Sequence, residues 1–423
     1  MGSATAGVAI QGGGAAMANG TIDQAIVTPV KAARFPGTLL AGPAIPDLAA
    51  RLGARLARLR GQPFRLGKRV IAARHAHVRE LLDRDLDFAI APNNATKIGE
   101  VNGGPFVLGM DRSPVLERER RALYHALHKV DLARLQAQAQ ADIEARLAAV
   151  GAGGEIDAVG GYARPVAAGT AARLFGLAAP SQEMLMEVSR SIFAHTFLNI
   201  GNDAAIRARA MRAGDYMQKW LAAEIAERRA SGRYGDDMMG ALLGDGLLDD
   251  SGVRRTLGGM FVGSIDTTAT CVAKILAVAG RDRNLARAMR RDSGDLGRMY
   301  GWCNEALRRW PHNPIVLRTA VADSRLGGCA VKAGDAVIAW TQAAMQDSSA
   351  FEAPRRSRPD RDAGIYLHLG GGVHPCSGRP VNAFQIPLLV RGLLERGIGR
   401  VGKMDWAGPF PHRLLVKLEE EPR

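Results

Sequence analysis

Between residues 114 and 310, apolar side chains recur every three or four positions, the period of an amphipathic helix. The spacing predicts helices over 114–129, 131–149, 162–176, 181–199, 203–231, 251–280 and 296–310. One more is expected over 379–397, with a kink at Pro387, which lacks the N–H a helix interior needs. Upstream, residues 46–61 read as a helix whose leucines at 48, 52, 56 and 59 share one face. Residues 63–73 read as strand around a Gly67-Lys68 turn, and 75–85 as a short helix. Residues 91–113 show no clear period and are expected to form a long loop, which at that length is usually functional or disordered. Beyond Pro311, residues 314–322, 328–340 and 412–418 read as short strands separated by glycine turns. The chain is therefore expected to be mainly α with a small β-rich part. No Pro- or Ser-rich linker divides it, so one domain over 26–423 is expected behind a glycine-, alanine- and serine-rich tail at 1–25.

Composition changes this picture in three places. Apolar residues at 47% and charged residues at 23% are globular values and exclude a disordered chain. The 56 Lys and Arg against 42 Asp and Glu leave a net charge of +14, a field that attracts anionic partners. These basic residues are spread along the chain and accompany no nucleic-acid-reading module, so nucleic acid is not an expected partner. The four cysteines, 271, 303, 329 and 376, form no CxxC pair, which fits a reducing, cytoplasmic compartment and argues against a zinc ribbon. The first 20 residues hold no Lys or Arg, unlike a secretory signal. The most apolar long stretch, 257–280, carries Asp266 and Lys274, so no membrane span is expected.

Four segments carry candidate chemistry. Residues 369–378, LGGGVHPCSG, place Cys376 in a glycine-rich turn opening the last helix. Glycines allow close backbone approach to a ligand, and a helix N-terminus favours a thiolate, the form that ligates iron. Glu305 and Arg308 stand at i, i+3 on one helical face. Residues 263–268, GSIDTT, set an acid and a hydroxyl mid-helix among apolar neighbours. Thr267 there can bond back to the Gly263 carbonyl and loosen the helix locally. Residues 111–121, DRSPVLERERR, open a helix rich in arginine, whose forked guanidinium suits carboxylates.

Taken in order, these segments resemble the cytochrome P-450 family over about residues 110–423. The resemblance implies the P-450 fold, a helical triangular prism around a buried haem b. Gly372, Cys376 and Gly378 match the family's haem loop, FxxGxxxCxG, with Cys376 as the axial ligand of the iron. Leu369 replaces the usual Phe. His374, Arg120 and Arg318 fall at haem-propionate positions, and Leu116 replaces a histidine that would supply another contact. Glu305 and Arg308 match the family's ExxR pair, a folding device, with Arg358 or Arg361 as the third member. Gly263, Asp266 and Thr267 match the central-helix motif, Ser264 replacing its second glycine. There the resemblance gives Asp266 proton supply and Thr267 a hydrogen bond at the reacting oxygen.

The activity so implied inserts one oxygen atom from O2 into an apolar small organic substrate, such as a lipid, terpenoid or aromatic. Electrons would pass from NAD(P)H through a reductase and an acidic ferredoxin, docked on Arg118, Arg121 and Lys129 with Arg355 and Arg356. Pocket positions are expected at Val107, Leu108, Phe193, Phe197, Phe261, Ile265, Ile315, Val316 and Phe410. A monomer is expected. A peroxide-driven enzyme or hydroperoxide isomerase, and a non-enzymatic haem-thiolate sensor, are the alternatives.

Overall fold

The computed structural model of the chain describes residues 47–420 apart from 180 and 409. The expected tail at 1–25 lies outside them. Helices dominate, and the β-rich part is small and divided into three sheets. Strands β1 (Phe64–Leu66), β2 (Arg69–Ala72), β3 (Phe88–Ala89), β5 (Val316–Ala320) and β8 (Ala336–Ala339) form a five-stranded sheet in the order β1-β2-β8-β5-β3. Strand β4 (Glu155–Asp157) joins β9 (Ile398–Ala407) and β10 (Phe410–Leu418), while β6 (Ser324–Leu326) pairs with β7 (Cys329–Val331).

The helix over Asp47–Leu59 turns its leucines outward: Leu52, Leu56 and Leu59 are exposed, and the Leu48 side chain is outside the described set. Its inner face is Gly53, Ala54 and Ala57, small enough to approach Trp340 and Ala343 closely.

The expected loop at 91–113 begins instead with a helix, Ala91–Asn102. Pro92 suits its first turn, Ile98 and Val101 are buried, and Gly103 ends it in the left-handed conformation. Two other apolar positions in twelve residues give too weak a period to read from sequence. Helices at Met238–Asp245 and Arg283–Arg291 and strand β9 were likewise not expected.

The expected 251–280 helix is interrupted. Asp250–Val262 and Asp266–Arg281 flank a turn at Gly263-Ser264-Ile265. The Ser264 hydroxyl donates to the Phe261 carbonyl at 2.7 Å, Thr267 to Gly263 at 2.5 Å and Thr268 to Ser264 at 2.8 Å. Three side-chain hydrogen bonds to backbone carbonyls within eight residues accompany the open ladder at this point. By length and composition, Asp250–Arg281 could cross a membrane, but 78% of its apolar window is buried inside the protein, as befits the core helix. The main core gathers around it, from helices 132–148, 164–175, 182–193, 204–231 and 379–395.

Candidate functional site

Cys376 sits two residues ahead of Gly378, the N-cap of the Arg379–Glu395 helix. Its backbone N–H donates to the Leu369 carbonyl at 2.8 Å, which closes the turn. Gly370 and Gly372 adopt φ of +70° and +61°. A Cβ at Gly372 would lie 1.9 Å from the Leu82 carbonyl oxygen, so the loop rests directly on the backbone at the end of the His75–Asp83 helix. Gly372→Ala therefore meets both the left-handed penalty and a backbone clash. It should lower the melting temperature and the fraction of protein carrying cofactor. A melt and loading equal to wild type would contradict this packing.

Burial raises the pKa of the Cys376 thiol, opposed by the Gly378 N–H and by Arg379. The sequence argument for a dipole-stabilised thiolate is thus outweighed by desolvation. A coordinated metal ion deprotonates a thiol outright, so this environment suits a ligand rather than a free nucleophile.

Cations converge beside the loop. Val107, Leu108, Arg120, Tyr124, Val373 and His374 line one narrow crevice. Arg318 is 3% exposed, and its one hydrogen bond among the described residues goes to the neighbouring Leu317 carbonyl at 2.9 Å. Burial pushes it down to about 10, and Asp111 and Asp85 oppose this only at long range. The His374 imidazole is pushed down to about 4 by burial and then by Arg318, with Arg120 a weaker cause in the same direction. Arg120 lies over the Tyr124 ring, 5.6 Å from its centre. Among the described residues neither arginine has a carboxylate in ion-pair distance. Desolvated guanidinium groups without an anion are costly, and the two carboxylates of a haem would answer them. By that criterion the residues present fit the group.

The ExxR pair is fully buried. Glu305 accepts from Arg308 Nε and Nη2, both at 2.9 Å, and from the Tyr366 hydroxyl at 2.8 Å. Arg361 Nε lies 3.3 Å from the same carboxylate. Arg358 reaches it only through its backbone N–H, at 3.1 Å, and its guanidinium pairs with Glu352 and Asp360 outside. Of the two arginines left open by sequence, Arg361 supplies the third side chain.

Asp266 is buried, its Oδ1 accepts from Arg190 Nη2 at 2.5 Å and Arg190 Nε at 3.0 Å, and Arg164 Nε forms an ion pair with it at 3.1 Å. Oδ2 is buried without a partner among the described residues. The two arginines were missed in the sequence. Only the spacing of Arg190 ahead of Phe193 and Phe197 hinted that this helix faces inward. Gly263 is open beside the turn: a Cβ there would meet nothing nearer than 3.7 Å. Gly378 is equally open, 3.7 Å from the Cys376 sulfur.

The expected pocket positions divide. Phe193 stacks obliquely on Phe197 at 4.8 Å and meets Phe410 edge-on at 5.8 Å. Ile315, just before β5, and Val316, its first residue, are half-buried, and Ile265 is buried in the helix break. Phe261 is buried, with its ring edge-on to Trp220 of the 204–231 helix. On the surface, Arg118, Arg121, Arg355 and Arg356 are exposed, whereas Lys129 is tied to Asp245. A cleft of about 510 Å³ lies between Lys129, Arg134, Asp236 and Asp245 and contains none of the residues around Cys376.

A sequence model of the Cytochrome P450 family matches residues 179–396. Biflaviolin synthase of Streptomyces coelicolor is 29% identical over 297 residues, 69% of this chain and 70% of that one. Erythromycin C-12 hydroxylase of Saccharopolyspora erythraea is 27% identical over 345 residues, 78% and 81% of the two chains. Among solved structures, CalO2 superposes with a TM-score of 0.78 at 21% identity, covering 90% of this chain and 98% of that one. Ligand-free CYP164A2 of Mycobacterium smegmatis gives 0.75 at 22% identity, with 90% and 98% covered.

Proposed function

As this chain belongs to the cytochrome P450 family and is a haem-thiolate monooxygenase, we propose that Cys376 ligates its haem iron and that Arg318, Arg120 and His374 hold the propionates. When bound, the thiolate-ligated haem supplies activation of O2 for insertion of one oxygen atom into a small organic substrate. The chain's own residues do the rest. The Gly370–Gly372 turn would hold the Cys376 sulfur toward the iron. Arg318 and Arg120 would neutralise the two carboxylates, and His374 would donate one neutral hydrogen bond to them. The Thr267 hydroxyl, now spent on the Gly263 carbonyl, is placed in the helix break to hold a proton at the reacting oxygen. Asp266, one position before it, relays protons through its unpartnered Oδ2 as Oδ1 stays with Arg190 and Arg164. The aromatic group of Phe193, Phe197 and Phe410, with Ile265, Ile315 and Val316, excludes water and suits an apolar substrate.

Reducing equivalents come from NAD(P)H through a reductase and an acidic ferredoxin, steered to Arg118, Arg121, Arg355 and Arg356. Lys129 contributes less than the sequence suggests, because Asp245 neutralises it. The enzyme works as a cytoplasmic monomer with no membrane span, one domain over 26–423.

The observation that carries this reading is the buried, carboxylate-free Arg318 beside the Cys376 loop. Arg318→Leu should weaken haem retention about 10- to 100-fold, the worth of one or two charge-assisted hydrogen bonds. Haem transfer to apomyoglobin measures this. Arg318→Lys should fall between the two, and a Leu variant that keeps its haem as wild type does would remove the propionate role.

A further inference from the structure

His312 lies in the loop between the Leu296–Arg309 helix and β5, four residues before Val316. Both ring nitrogens are buried and neither has a hydrogen-bond partner among the described residues. Its ring is 5.9 Å from Phe193, which carries Phe410 and Phe197 on its other edges. The loop is fixed rather than free. The buried Lys274 ammonium, from the central helix, donates to the Pro311 carbonyl at 2.7 Å and reaches the His312 carbonyl at 3.4 Å. Lys274 thereby holds the backbone of His312 while leaving the imidazole unanswered.

An imidazole buried among aromatics with both nitrogens idle is unfavourable, and phenylalanine would fill the space at lower cost. Burial and Lys274 push His312 down to about 3, with Asp266 opposing, so the ring is neutral at working pH. A neutral imidazole offers one donor and one acceptor, the complement of a single hydroxyl group. The chain runs from this ring through Ile315 and Val316 to Arg318, so His312 stands where that segment meets the aromatic group of Phe193, Phe197 and Phe410.

We propose that His312 is a specificity-determining residue that hydrogen-bonds a hydroxyl group on an otherwise apolar substrate. This rests on the haem-thiolate reading above, which places the cavity between the Cys376 loop and the aromatic group. The substrate is then an apolar molecule that already bears a hydroxyl group.

The test uses azoles, whose free ring nitrogen binds ferric haem and shifts the Soret band. The probes are 1-alkylimidazoles and 1-(ω-hydroxyalkyl)imidazoles of equal chain length, titrated into the ferric holoenzyme. At one chain length the hydroxylated probe should bind about tenfold tighter than its alkyl partner. His312→Phe should abolish that preference without changing alkyl affinity by more than about threefold, and His312→Gln should restore part of it. Alkyl probes binding at least as tightly at every length, or a preference that survives in the Phe variant, would overturn the proposal. So would a protein with a red-shifted carbon monoxide band that no azole shifts. Absence of that band altogether is a different failure, that of the haem-thiolate reading itself.

Discussion

Glu305→Ala should lower stability by about 3–5 kcal/mol, the cost of breaking a buried ion pair by removing one partner. The protein recovered should carry little cofactor. The carboxylate accepts from Arg308, the Tyr366 hydroxyl and the Arg358 backbone N–H, and it forms an ion pair with Arg361. Arg308 is also fixed by the Met345 carbonyl at 3.0 Å and lies over Phe351, 5.2 Å from the ring centre. Removing Glu305 leaves two guanidinium groups buried without an anion and frees the 345–366 segment. That segment runs directly into the Cys376 loop, so the damage reaches the cofactor. Denaturant melts followed by circular dichroism and by Soret absorbance read both effects. The control is Arg358→Ala, whose guanidinium pairs only at the surface and should cost less than about 1 kcal/mol. If Arg358→Ala is as damaging as Arg361→Ala, the assignment of the third member is wrong.

Asp266→Asn should slow product formation about 10²- to 10⁴-fold, the span of a general acid's contribution, with KM little changed. The substitution keeps the shape and removes the ionisable group next to Thr267. The fold should survive it, because the Asn Oδ1 still accepts from Arg190, and Arg164 keeps its ion pair with Glu187 at 3.1 Å, so the cost is the lost charge on Arg190 rather than a lost acceptor. Loss of rate with an intact melt and an intact carbon monoxide spectrum separates a proton-relay role from a structural one. An Asn variant that turns over any substrate at the wild-type rate would remove Asp266 from proton supply.

The helical body, the β-rich remainder and the motif segments were legible in the sequence because each rests on local spacing. Leucine, alanine and arginine patterns over ten or more residues fix a helix whatever it packs on. The bond from Thr267 back to Gly263 was legible for the same reason, being four residues long. What escaped was set by distant partners. Arg190 and Arg164 approach Asp266 from two other helices, and no spacing announces that. The choice of Arg361 over Arg358 depends on which side chain the irregular segment turns inward. The helix at Ala91–Asn102 was hidden by asparagine, glycine and proline, whose local preferences are overridden by burial of Ile98 and Val101.

The central claim is that Cys376, as a thiolate, ligates a haem whose propionates are held by Arg318, Arg120 and His374. The most direct measurement is the absorption spectrum of the purified protein, reduced with dithionite and exposed to carbon monoxide, for wild type and Cys376→Ala. The account predicts a strongly red-shifted Soret band in the wild type and its loss in the variant. An unshifted band in the wild type, or a red-shifted band that persists without Cys376, would contradict it.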